Sequence, residues 1–328
     1  MKFFDTSGAN GIKHPFRVIV DKEISDHVRS WRFIILVAII LLTCFGTLYT
    51  SLSNFSKVVN INDTENAFFF LKMFTASDGT LPSFLVFISF LGPLLGISLG
   101  FDAINTEHNR GTLSRVLAQP VHRDYLINAK FVAALTVICV MFFALGFLVM
   151  GMGLIAIGIP PTPEEFLRIV FFILLSICYV AFWLNLAILF SVQFRQAATS
   201  ALACIAVWLF FSVFYNMIVG LVAKAIAPPE GAMVSEVRIV AFQQFIINLM
   251  RVAPSQLFSD ASTTLLMPTV RALGPLTLEQ VHGALPTPLP LGQSLLIVWS
   301  QLTALIAGTF VWFGLSYLSF MRKEVRSR

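Results

Sequence analysis

Asn105-Thr-Glu-His-Asn-Arg-Gly-Thr-Leu-Ser-Arg-Val-Leu-Ala-Gln-Pro-Val-His-Arg-Asp124 is a polar, basic island between two long apolar runs, roughly residues 83–101 and 129–157. Runs of about 18 or more apolar residues with almost no charge are what crossing a bilayer's hydrocarbon core requires. The island therefore reads as a loop between two membrane helices, placed where a helix bundle can be gripped from the cytosol. Working outward, four more such runs lie at about 33–52, 167–192, 199–223 and 294–320, making six.

Composition agrees with that count. The chain is 57% hydrophobic and only 12% charged, with a mean hydropathy of +0.83, against about half apolar and about a quarter charged in soluble domains. Helices that satisfy their own backbone hydrogen bonds are the economical way to span lipid, so the expected fold is an all-α polytopic membrane protein. A polar segment of about 32 residues precedes the first run, which is expected to stay as an anchor and not to be removed as a signal peptide.

Charge placement orients the bundle, because Lys and Arg in short flanking loops favour the cytosolic side. With the N-terminus inside, fifteen of the 22 basic residues are cytosolic, among them Arg17, Lys22, Arg29, Arg32, Arg110, Arg115, Arg123, Lys130, Arg195 and the tail from Arg322 to Arg328. Both termini are then inside. The net charge of +5 suits anionic lipid headgroups, and no aromatic or groove-reading context accompanies it that would suit nucleic acid. The four cysteines, Cys44, Cys139, Cys178 and Cys204, fall inside expected spans as small apolar residues. The five histidines have no second ligand at metal-site spacing.

Local readings fill in the layout. Residues 15–31 form an expected interfacial helix with Phe16, Val20, Ile24, Val28 and Trp31 on one flank and Asp21, Lys22, Asp26 and Arg29 on the other. Gly92, Gly96 and Gly100 make two overlapping GxxxG steps, a smooth face for close packing within the subunit, and Pro93 is expected to bend that span. Asp102 and Glu107 at its end are expected to pair with Arg110 or Arg115. Between Gly111 and Pro120, Thr112 to Ala118 can form a short helix with Leu113, Val116 and Leu117 on one face. Gly146, Gly151, Gly153 and Gly158 are expected to make the far end of the third span pliable. Residues 224–293 are too long for a plain turn: Met233 to Val252 has helical periodicity, and the prolines at 254, 268, 275, 286, 288 and 290 break the rest. An outer lid or re-entrant hairpin fits that composition. The resulting division is 1–32, a cytosolic segment; 33–223, five spans including the loop 102–128; 224–293, the outer lid; and 294–328, the sixth span with a basic tail.

The stretch from Gly100-Phe-Asp-Ala-Ile-Asn-Thr-Glu-His-Asn-Arg-Gly-Thr-Leu113 through Gln119-Pro-Val-His-Arg123 and Lys130-Phe131 resembles the first cytosolic loop of ABC-2-type permeases. There an acidic Arg-Gly-Thr-Leu stretch, a Gln-Pro step and a lysine opening the next helix recur. The entry Lys22-Glu23 to Arg32-Phe33 is similar to that family's amphipathic helix, and the six-span layout extends the likeness over essentially the whole chain. Where a second acidic residue is common in the loop, this chain has Asn109. The resemblance implies an exporter-like permease subunit, itself no enzyme, on which a separate cytosolic ATPase docks through Glu107, Arg110, Gly111, Thr112, Leu113, Leu117, Gln119 and Pro120. It also implies a second permease subunit, identical or related, with ATP and Mg bound by the ATPase. The chain has no Gly-x-x-x-x-Gly-Lys-Ser/Thr loop of its own.

Two other classes stay open at this stage. An ATP-driven mechanical transmitter would use the same subunits to move an outside partner instead of a solute. An integral membrane enzyme would need Asp102, Glu107, His108 or Asp124 to meet a nucleophile or ligand, and none stands at the right spacing. An ion-coupled carrier is disfavoured by the scarcity of ionisable residues in the spans. The 33 phenylalanines suit an amphiphilic solute and equally suit ordinary helix packing, so the substrate is not legible.

Overall fold

The structure, a computed structural model, describes residues 14–58, 68–75, 82–109, 111, 122–158, 160–228, 236–270 and 288–323. Helices account for nearly all of them, in the order α1 (Pro15–Val28), α2 (Trp31–Val58), α3 (Phe69–Thr75), α4 (Phe84–Gly100), α5 (Asn105–Asn109), α6 (Arg123–Ile157), α7 (Pro163–Gln193), α8 (Ala197–Leu209), a π-helical turn (Phe210–Phe214), α9 (Tyr215–Ile226), α10 (Glu236–Met250), α11 (Pro254–Leu266) and α12 (Leu291–Arg322). No strand occurs among the described residues. Six helical stretches are long and apolar enough to cross a membrane: Trp31–Tyr49, Phe84–Asn109, Arg123–Ile155, Pro163–Gln193, Ala197–Ile226 and Leu291–Arg322. The chain is an all-α polytopic membrane protein, and each of its six spans overlaps one of the six apolar runs.

Span four, α7, is the central post. Thr162 and Glu165 open it with a reciprocal capping box and Pro163 occupies its first turn, so three of the signals that start a helix coincide. Its core face carries Phe172, Tyr179, Val180, Trp183, Leu184 and Ile188, all essentially inaccessible. Span two, α4, lies against it through the glycine stripe. A Cβ added at Gly96 would stand 2.6 Å from the Val180 carbonyl oxygen, and one at Gly100 would stand 2.8 Å from the Leu184 carbonyl oxygen. Backbone meets backbone here, and only glycine leaves room for it. Within α4, Pro93 has no N–H to give the Ser89 carbonyl four residues earlier; the Tyr179 hydroxyl of α7 donates to that oxygen at 3.0 Å. The proline's missing donor is thus replaced from the neighbouring helix, and α4 continues through it.

Asn185, fully buried in α7, donates to the Thr309 carbonyl of α12, and the Ser316 hydroxyl of α12 lies 3.3 Å from the Asn185 carbonyl. At the N-terminal end of the post, the fully buried Arg168 pairs with Glu164 at 2.9 Å and donates to the carbonyls of Leu265 and Leu289 and to the Ser294 hydroxyl. One guanidinium thereby joins α7, α11 and the start of α12.

One local expectation needs correction. Pro254 does not break the chain but opens α11 at its first turn, where a missing N–H costs nothing; Phe258, Ala261 and Leu265 of that helix are buried. Gly146, Gly151 and Gly153 lie within α6, which runs to Ile157 and closes on left-handed Gly158, φ 77°. At Gly146 and Gly153 added Cβ atoms would run into Ile173 and Met73, so these two glycines admit neighbours. In α1 the residue buried against the protein is Glu23, while Val28 and the adjoining Trp31 of the apolar flank are exposed.

Candidate coupling site

At the end of the bundle where α1, the close of span two and the opening of span three meet, charged residues converge. Helix α1 begins at Pro15, with His14 Nδ1 accepting from the Phe16 amide. It ends at a two-residue corner, where the Ser30 hydroxyl donates to the His27 carbonyl and accepts from the Phe33 amide, 3.3 Å. That corner sends the chain straight into span one and presses Glu23, 6% exposed, against span three.

Lys130, 5% exposed, stands between two carboxylates: Glu23 at 2.9 Å and Glu107 at 2.8 Å. Lys22 adds a second cation, 2.9 Å from Glu23 and 4.0 Å from Glu107. Burial alone would raise the Glu23 carboxyl, but the charge and hydrogen bond of Lys130, with those of Lys22, overcome it and hold the group below the usual carboxylate range. Burial would likewise lower Lys22, and its bond to Glu23 and the nearby carboxylates turn the shift upward. A charge taken out of water persists only when paired and hydrogen-bonded, and this cluster meets that condition. Beside it Arg32, at the start of span one, pairs with Asp102 at 2.8 Å and lies over the Phe101 ring. The cluster lines a cavity of about 560 Å³ shared with Asp26, His27 and Ser30.

Short α5, which carries Glu107, is tied down on its other side too. The Ser191 hydroxyl near the end of α7 accepts from the amides of Ile104, 2.8 Å, and Asn105, 3.2 Å. The Asn109 amide donates to the Arg195 carbonyl in the turn between spans four and five. Gly111 follows in the left-handed region, φ 67°, its amide accepted by the His108 carbonyl, which is how a helix end commonly turns away. The stem of the 105–124 loop is therefore fixed to α1, α6 and α7 at once.

Of the residues the sequence singles out, Glu107 and Gly111 sit in this stem, and Gly92, Gly96 and Gly100 in the seam with α7. Arg110, Thr112, Leu113, Leu117, Gln119 and Pro120, and with them the short helix expected at 112–118, lie outside the described residues. Asp102 pairs with Arg32 and Glu107 with Lys130; Arg110 and Arg115, expected as their partners, lie outside the described residues. Glu23 and Lys130 were missed as partners. The available signal was Lys130 itself, a lone cation at the start of an apolar run, which needs a carboxylate from somewhere. Among the described residues no group of three His, Cys, Asp or Glu could hold a metal ion.

A family model described as ABC-2 family transporter protein matches residues 17–325. The chain belongs to that family. No curated protein matches it. As an ABC-2 family member it is a multi-pass membrane protein and a permease subunit of an ABC transporter, and such permeases generally work with a cytosolic ABC ATPase. The family match runs from within α1 to just past α12, so the charged cluster lies inside it.

Proposed function

We propose that this ABC-2 permease exports its substrate under the drive of a separate ATPase, which binds ATP and Mg and docks on the loop from Glu107 to Pro120. The loop end of the bundle, with both termini, faces the cytosol, and residues 224–293 form the lid outside. A second permease subunit, identical or related, completes the assembly. The observation that carries this reading is the stem of the loop: Glu107 shares Lys130 with Glu23, so a push on the loop reaches the interfacial helix and span three through ion pairs, and span four through Ser191. Rigid displacement of packed helices is the ordinary way such a push reorients a bundle.

The test is copurification of the cognate ATPase with the full-length permease. Leu117→Asp, by placing a charge in an apolar contact, should lower ATPase recovery about 100-fold or more, the equivalent of about 3 kcal/mol. Leu117→Met should leave it nearly unchanged. Equal recovery with Leu117→Asp would remove the loop as the docking surface.

A further inference from the structure

Helix α11 is too short to be a span, and its depth can be read from its neighbours. α7 has 31 residues, about 46 Å at a rise of about 1.5 Å per residue, against a hydrocarbon core of about 30 Å. Residues near its middle therefore lie in hydrocarbon. Phe258 of α11 stacks on Tyr179, the seventeenth residue of α7, at 4.4 Å with 12° between the rings, while Leu265 accepts from Arg168 nearer the start of α7. α11 thus runs antiparallel to α7, its first turn toward the membrane centre. Span five gives a similar depth for the end of α10. The hydroxyl of Tyr215, nineteenth of the 30 residues in Ala197–Ile226, donates at 2.6 Å to the carbonyl of Leu249, in the last turn of α10. The corner between α10 and α11 therefore reaches into the hydrocarbon layer.

At that depth α11 has two unlike faces. Pro254, Phe258, Ala261 and Leu265 are buried against the bundle. Ser255, Gln256, Ser259, Asp260 and Thr263 share the opposite face by helical spacing and are half-buried. Arg251 of the corner joins them, its Nε 3.1 Å from Asp260, with the two side chains 22% and 13% exposed. The Gln256 amide donates to the other Asp260 oxygen at 2.7 Å, and the hydroxyls of Ser255 and Ser259 have no hydrogen-bond partner among the described residues. Lipid tails do not tolerate an open ion pair, and hydroxyls without partners at this depth call for water or for a ligand that supplies the bonds. Solute sites of membrane carriers sit near the midplane, where helices break, and the corner before Pro254 is such a break. The ion pair carries no net charge, so what the face offers is hydrogen bonding. We propose that this face of α11 lines the way of the solute through the membrane and takes an uncharged, hydroxyl-bearing part of it. The site rests on the reading that the permease moves a solute.

The full-length permease in lipid bilayers, without the ATPase, tests this by spin labelling of Ser259→Cys in a chain whose four native cysteines are replaced. Power saturation is read with oxygen, with neutral nickel EDDA and with anionic chromium oxalate. Nickel EDDA should relax the Ser259 label several-fold more than a label at Val140→Cys, the eighteenth of the 35 residues of α6 and 65% exposed, where oxygen should dominate. Chromium oxalate, scaled to its effect in water, should trail nickel EDDA at Ser259. Asp260→Asn leaves Arg251 without that carboxylate and should raise chromium oxalate relaxation about tenfold, with nickel EDDA little changed. Gln256→Lys, which adds a cation and keeps the pair, carries the same expectation should Asp260→Asn not fold. Oxygen dominating at Ser259 would put lipid on this face, and relaxation by none of the three would put protein there, a second copy included; either overturns the proposal. Chromium oxalate matching nickel EDDA in the parent, or staying unchanged in a folded variant, would equally overturn it. None of these outcomes involves the ATPase, so failure of the docking loop would be seen separately, in copurification.

Discussion

Lys130→Met is the perturbation that bears hardest on the coupling site. The ammonium is almost wholly enclosed, and it lies 2.9 Å from Glu23 and 2.8 Å from Glu107, whose side chains are themselves 7% and 14% exposed. Each contact at an effective dielectric near 20 is worth about 4 kcal/mol of attraction or somewhat more, and the cost of desolvating the lysine offsets much of the sum. Removing one partner from a buried pair leaves a net loss of about 3–5 kcal/mol, here because Glu23 and Glu107 both lose their enclosed cation. The loss should be local, freeing α1 before the bundle opens, so amide exchange of α1 is the assay. At about 1.4 kcal/mol per tenfold, exchange in residues 15–28 should accelerate 100-fold or more while α7 is unchanged. Adding Glu23→Gln and Glu107→Gln to Lys130→Met should recover most of the protection, since no unpaired charge then remains. An α1 exchange rate within twofold of the parent for Lys130→Met would show that the cluster does not hold the interfacial helix, and the route from loop to α1 would fall with it.

Three further outcomes follow from the same geometry. Gly96→Ala must push backbone atoms of α7, where Gly92→Ala meets a Val180 methyl at 3.1 Å, so the former should cost about 1–3 kcal/mol and lower the melting temperature visibly more than the latter; equal melting temperatures would refute the close seam. Tyr179→Phe strands the Ser89 carbonyl and should cost about 1–3 kcal/mol, whereas adding Pro93→Ala supplies an amide donor, so in a thermal-melt cycle the double variant should be more stable than Tyr179→Phe alone. Acid should release α1 in two steps. Burial foremost, with Lys130 adding to it and Glu23, Asp102 and Asp26 opposing, holds His27 below its ordinary 6.5; its share of stability is full above that value and is lost as pH falls toward the folded value. The depressed Glu23 contributes fully above its ordinary 4.5 and is lost as pH falls through its lower folded value. α1 exchange should therefore start to rise below about pH 6.5 and steepen below about 4.5, and His27→Gln should remove the first step alone.

How much of this was legible in the chain depends on the length scale of the signal. The six spans are written in runs of apolar residues that no tertiary context can override, since lipid demands them. The glycine stripe was visible as spacing, though the atoms it admits were not. What failed was the reading of Pro254, whose meaning is set by where it falls in a helix. Pro254 and Pro93 carry the same chemistry, and one starts a helix while the other sits in the middle of one. The difference lies in where the lost hydrogen bond would have been: at a first turn there is none to lose, and inside α4 a tyrosine 86 positions further on, Tyr179, restores it. Ion pairs escaped for the same reason. Glu107 is enclosed with Lys130 of span three, a pairing across elements that the sequence did not announce, while Arg110 and Arg115, the sequence neighbours expected for it, lie outside the described residues. Pairing across elements is a property of the fold, and the sequence marks it only by leaving a lone charge where hydrocarbon would otherwise exclude one. Lys130 and Arg168 are both such charges, one near each end of the bundle, and each proved to be the point where three elements meet.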